Sequence, residues 1–176
     1  MTVKSNYIIK ICLLGEANVG KTSLVYQFIE KKFRGNYKST LGVNLLKKDI
    51  NVKEFGDVSA QIWDLGGQES FRSLRKLYLE GANGALIIYD CTKRNSYEKL
   101  EDWILDFKDA RGNKPLLLIG NKSDLTDAVK VQESEGIELA KRHNMEFMPT
   151  SAKTGSNVES AFMDIIKKIL NKSLDS

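Results

Sequence analysis

Two cysteines, two prolines and one histidine are all that occur among 176 residues, and each shortage removes a class of protein. Cys12 and Cys91 lie in separate apolar runs, which excludes a disulfide framework and a cysteine metal cluster; buried, reduced thiols are expected. The lone His143 follows Lys141 and Arg142 late in a helical stretch, so a histidine metal site is excluded and an exposed helix end is expected. No apolar run approaches the length that spans a bilayer, and Met1 to Asn6 carries no apolar signal region. A cytoplasmic location is therefore expected. Neither sign of charge dominates. Lys and Arg number 27 against 23 Asp and Glu, giving +4, and the basic pairs Lys31-Lys32, Lys47-Lys48 and Lys167-Lys168 are scattered. Scattered pairs read as solvated faces, so no nucleic-acid partner is expected. The remaining composition, 41% hydrophobic and 28% charged, suits one ordinary globular domain over 1–176.

What is present is organised around Gly15-Glu16-Ala17-Asn18-Val19-Gly20-Lys21-Thr22, which reads G-x-x-x-x-G-K-T. Tyr7 to Leu14 before it reads as a buried strand, and Ser23 to Lys32 after it as an amphipathic helix. A glycine-bounded turn with a chance lysine would give the same letters, but not in the order strand, loop, helix. In that order, backbone N–H groups across Gly15, Ala17, Asn18, Val19, Gly20 and on to Ser23 curl inward at phosphate oxygens, favoured by the dipole of the following helix. Lys21 then reaches the terminal phosphates and the Thr22 hydroxyl ligates magnesium. A nucleoside di- or triphosphate is the expected ligand.

Further along, the polar stretch Phe33 to Gly42 has no periodicity and reads as a functional loop. Val43 to Val52 and Ser59 to Asp64 read as an antiparallel hairpin, followed by the break Leu65 to Arg72 and a short helix ending near Gly81. Gly84 to Tyr89, Pro115 to Ile119 and Met145 to Met148 read as strands. Asn95 to Ala110, Val131 to His143 and Asn157 to Leu170 read as helices with apolar stripes at helical spacing. This alternation predicts an α/β fold, a mostly parallel sheet covered on both faces, with ligands at the carboxyl ends of the strands.

Each remaining polar motif falls at such an end. Asp64 closes a strand, where a carboxylate holds magnesium, and Gly66-Gly67-Gln68-Glu69 follows at once. Asn121-Lys122-Ser123-Asp124 reads N-K-x-D after an apolar strand. The Asp124 carboxylate can accept both N–H groups of the guanine Watson-Crick edge, whereas adenine presents an acceptor there. Ser151-Ala152-Lys153 follows the last strand and offers a backbone N–H to guanine O6.

With these five motifs in order, the sequence from Tyr7 to Leu170 resembles the Ras superfamily of small GTPases. The resemblance implies a single P-loop GTPase domain with a core of about 7–170. Its sheet would be six-stranded and mostly parallel, with one antiparallel edge strand and helices on both faces. It implies that GTP and GDP bind with Mg2+ as cofactor, Thr22, Thr40 and Asp64 serving the metal. Gln68 is implied as the residue orienting the attacking water beside Lys21, and Gly67 as the donor to the γ-phosphate. Phe33 and the Lys122 stem are implied to cover the two sides of the guanine. Effector, exchange and activating proteins are the implied partners, acting on a monomer through the loops around Thr40 and Gln68.

Within the superfamily the segments STLGVN and ESFRSLRKLYLEGANGALIIYD look most like the Rab branch, although Leu45 is aliphatic in the triad Leu45, Trp63, Tyr78. Leu65-Gly66-Gly67 is similar to the Arf-like pattern, and its extra glycine leaves Gln68 less preorganised. Ala17 narrows the approach for an activating arginine. No arginine finger is evident in the chain, since Arg34 and Arg72 read as solvated. The ends carry neither a prenylation cysteine nor a myristoylation glycine, so no lipid anchor is expected and any membrane contact would run through partners. The expected function is a slow GTPase switch in membrane trafficking or signalling. A GTP-locked scaffold module is the alternative, and a P-loop kinase a third reading that N-K-x-D disfavours.

Overall fold

The structure, a computed structural model, describes residues 7–33 and 42–174. Thr40, Arg34, most of the loop between Phe33 and Gly42, and the first six residues lie outside the described residues.

Tyr7–Leu14 (β1) is buried on both faces from Ile11 to Leu14, where its apolar residues do not alternate with polar ones. Ile9, Ile11 and Leu13 enter one core cluster, Cys12 and Leu14 the other. Gly56–Leu65 (β3) and Gly84–Asp90 (β4) flank it in parallel, in the registers Ile11↔Ile62 and Leu13↔Leu86. Val43–Val52 (β2) pairs antiparallel with β3, and Leu116–Asn121 (β5) and Glu146–Pro149 (β6) extend the sheet in parallel on the other side. The order is β2-β3-β1-β4-β5-β6, six strands with one antiparallel pair at an edge, as expected.

Helices cover both faces. Lys21–Glu30 (α1) and Val158–Leu174 (α6) pack on one, where Phe28 and Phe162 stack with centroids 4.2 Å apart. Such a pair adds about 0.5–1.5 kcal/mol beyond its buried area. Arg75–Leu79 (α2), Leu100–Arg111 (α4) and Glu133–Arg142 (α5) cover the other through Leu79, Trp103, Phe107 and Leu139.

Several boundaries differ from the sequence reading. The helix expected over Asn95 to Ala110 is two, Arg94–Glu98 (α3) and α4, broken at Lys99. In α3 the Ser96 hydroxyl donates to the Asp90 and Lys93 carbonyls, a local alternative to helical bonding. The helix expected from Val131 starts at Glu133, because Gln132 and Glu135 form a reciprocal cap, with Gln132 N–H donating to Glu135 Oε2 at 2.9 Å. The last helix runs past Leu170 to Leu174. His143 is not at an exposed end. Its side chain is only 14% exposed, and Nε2 stands 3.0 Å from Glu101 Oε2. Both cysteines are buried and free, as expected. No helix among the described residues is long and apolar enough to cross a membrane.

Candidate functional site

Because five strands run parallel, the ends at Leu14, Leu65, Asp90, Asn121 and Pro149 share one edge of the sheet, and the expected motifs collect there. The loop after β1 turns on Asn18 (φ 66°) and Gly20 (φ 101°), conformations that asparagine and glycine adopt most readily. A β-carbon on Gly20 would stand 2.3 Å from Asn121 Nδ2, so only glycine fits. The backbone N–H groups of Ala17, Val19 and Gly20 donate to no other group among the described residues. Amides left open in a turn leading into a helix form an anion cradle.

Lys21 opens α1 with 5% of its surface exposed. Its ammonium donates to the carbonyls of Gly15 (2.7 Å) and Glu16 (2.8 Å). Burial pushes its pKa down to about 8, against the opposing pull of the Asp64 and Glu16 carboxylates. Thr22 Oγ1 donates to Asp64 Oδ2, bringing the two expected metal ligands together where β3 ends. A hydroxyl and a fully buried carboxylate are hard oxygen donors that suit magnesium. No cluster of three or more His, Cys, Asp or Glu able to hold a metal occurs among the described residues, so phosphate oxygens and water would complete such a site.

Gly67 lies hard against this loop. A β-carbon there would stand 2.2 Å from the Ala17 nitrogen and 2.4 Å from the Glu16 carbonyl carbon. Gln68 follows in extended conformation, its Oε1 buried and without a hydrogen-bond partner among the described residues.

At the other end of the cleft, Asn121 acts as a clamp. Its Nδ2 donates to Val19 O (2.9 Å), and its Oδ1 accepts from Thr150 Oγ1 (3.0 Å) and Ala152 N–H (3.3 Å). The phosphate loop, the N-K-x-D segment and Ser151-Ala152-Lys153 are thereby fastened together. Of the backbone N–H groups in this segment, that of Ala152 is turned toward Asn121, while the Lys153 N–H has no partner among the described residues. Ser151 Oγ donates to Asp124 Oδ1 at 2.8 Å, fixing one carboxylate oxygen. Lys122, at φ 66°, reaches Asn18 O (3.0 Å) and Asp90 Oδ2 (2.9 Å) with its ammonium. Phe33 is 43% exposed at the start of the loop that runs outside the described residues.

A family model described as the Ras family matches residues 10–171. The chain belongs to the Ras family. A Ras-family chain is a small GTPase that binds GTP and GDP and works as a switch through regulatory and effector proteins.

Two residues at this edge of the sheet make contacts that the motifs did not announce. Asp90, 1% exposed, holds the Lys122 ammonium while its other oxygen accepts from Thr92 N–H (2.8 Å). Glu16 accepts from the Trp103 indole at 2.8 Å, tying the phosphate loop to α4. Both pairs join residues far apart in sequence, where neither spacing nor periodicity gives a signal.

Proposed function

We propose that this chain is a slow guanine-nucleotide switch that binds Mg-GTP and hydrolyses it to GDP and phosphate. The observation that carries the reading is the cradle of open amides at Ala17, Val19 and Gly20, with buried Lys21 on one side and the Thr22–Asp64 pair on the other. Lys21 meets the terminal phosphates, and the loop amides orient them. Thr22, Thr40 and Asp64 would hold a magnesium ion, which would supply positive charge beside the phosphates. Gly67 donates its N–H to the γ-phosphate, and Gln68 orients the attacking water. Asp124, held by Ser151, selects guanine by accepting its two N–H donors, with Phe33 and the Lys122 stem along its faces. No covalent intermediate forms, and a slow rate is expected of a chain without an evident arginine finger of its own.

The same reading makes the chain a monomeric G domain over 1–176. It would be cytoplasmic, reach membranes through partners, and serve trafficking or signalling in the manner of the Rab branch. Support for that branch comes from the segments STLGVN and ESFRSLRKLYLEGANGALIIYD, while exposed Leu45 beside Trp63 and Tyr78 departs from its aromatic triad.

Single-turnover phosphate release from GTP-loaded protein, run beside Gln68→Leu, tests the proposal. Slow release that the substitution suppresses further is expected. A second reading, a GTP-locked scaffold, draws on the buried, unpartnered Gln68 Oε1, which does not face solvent. It requires bound GTP that persists in the wild type without phosphate release, and that result would remove the hydrolytic proposal.

A further inference from the structure

Behind the N-K-x-D segment lies a pocket of about 540 Å³ that the nucleotide reading does not use. Its walls come from the ends of β4, β5 and β6, namely Tyr89, Gly120 and Phe147, with Ser123 on one rim and the first turn of α5, including Glu133, on the other. The volume falls within the usual range of small-molecule sites.

Tyr89 is the group without an explanation. Only 1% of the residue is exposed, yet its hydroxyl makes no hydrogen bond among the described residues. Two glycines make room for it: a β-carbon would stand 2.9 Å from Tyr89 Oη on Gly120 and 2.7 Å on Gly136. The hydroxyl oxygen is not sealed off in the core, so it is open to a donor in the pocket. The Tyr89 and Phe147 rings lie 6.4 Å apart and 28° from parallel, and Phe147 is the more exposed of the two. Glu133 is exposed on the rim and makes no ion pair among the described residues. Glu135 beside it is already held by Arg94 at 2.9 Å. Burial raises the Tyr89 phenol well above its usual range, and the Glu133 and Glu135 carboxylates push it the same way. Aspartates 90 and 124 and Glu133 act likewise on the Cys91 thiol. Glu133 is the one charged side chain among the described residues that line the pocket.

We propose that this pocket binds a small flat organic cation, of the aryl-amidinium or aminated heteroaromatic class. It would lie against Phe147 and donate N–H groups to Tyr89 Oη and the Glu133 carboxylate. The proposal does not rest on hydrolysis, so its outcome is separate from that of the switch reading. Because Gly120 and Ser123 belong both to this wall and to the guanine segment, the two ligands share a structural element.

The test is a titration of the full-length chain with benzamidine, followed by backbone amide resonances, with benzoate as the control of the same shape and opposite charge. The expected result is saturable shifts at Gly120, Ser123 and Ser134 with benzamidine and none with benzoate. Tyr89→Phe and Glu133→Gln should each weaken binding about three- to tenfold, the range for loss of one hydrogen bond. Neither residue belongs to the nucleotide machinery, and Glu133→Gln, at an exposed position, keeps the test open if Tyr89→Phe folds poorly. Absence of saturable shifts, equal shifts with benzoate, or affinity unchanged by both substitutions would each overturn the proposal.

Discussion

Trp103 donates its indole N–H to the Glu16 carboxylate at 2.8 Å, so a helix packed under the sheet is bonded directly to the phosphate loop. Arg75 of α2 stacks on the same indole, 3.4 Å from its centroid, and pairs with Asp106 at 2.8 Å. Phosphate loop, α2 and α4 therefore meet at one side chain. Trp103→Phe keeps a ring but removes the donor and leaves Glu16 without this partner. A stability loss of about 1–3 kcal/mol is expected from urea unfolding. Release of a fluorescent GDP analogue should also accelerate.

Gly67 has no space for a side chain against the backbone of Ala17 and Glu16. In Gly67→Ala the segment must swing away, and it can no longer bring its N–H to the γ-phosphate. Single-turnover GTP hydrolysis should fall at least about tenfold, a barrier increase of about 1.4 kcal/mol. GDP affinity, which needs no contact from Gly67, should stay near wild type. Equal losses in both would assign Gly67 to folding alone.

Asp124 offers two acceptor oxygens, one steadied by Ser151. Asp124→Asn replaces one acceptor with an N–H donor, which then faces an N–H of guanine. GDP affinity should drop about a hundredfold, given about 3 kcal/mol for an unpaired polar group beside a lost charge-assisted bond. Xanthine carries a carbonyl where guanine has its amino group, and so becomes the complementary base. Competition binding with xanthosine diphosphate reads this reversal directly.

Burial pushes the Cys12 thiol up to about 12, with Lys10 and Arg111 opposing only in part. Its folded pKa lies above its unfolded value near 9, so between pH 9 and 12 the unfolded chain sheds a proton that the folded chain keeps. Stability from this group is complete below pH 9 and is lost as pH rises toward 12. At pH 10 the loss is about 1.4 kcal/mol. Cys12→Ala should therefore show a shallower alkaline decline than wild type in urea unfolding at pH 8 and pH 10, whatever its offset from the smaller side chain.

Those features that consecutive residues encode were legible in the sequence. The run Gly15 to Thr22 fixes its own turn through glycine positions, and N-K-x-D sets its polar groups within four residues. The mostly parallel sheet was legible because β4 and β5 are apolar through their middles, which a sheet covered on both faces requires. The Asp90–Lys122 and Glu16–Trp103 pairs were not legible, because they depend on the tertiary approach of separate elements. The break at Lys99 escaped for another reason: the apolar stripe continues across it, while the Ser96 hydroxyl competes for carbonyls in a way no stripe records. His143 looked like an exposed helix end because its sequence neighbours are charged, but Glu101 comes to it from α4.

The antiparallel strand β2 closes one side of the sheet and pairs with β3 alone. Its free margin is a row of backbone groups that another copy could extend, yet Lys47, Lys48 and Asp49 occupy its middle. Lysine charge on such a margin makes continuous stacking of copies electrostatically costly. The hairpin thus carries its own guard against fibre formation, and that guard weakens as salt screens it.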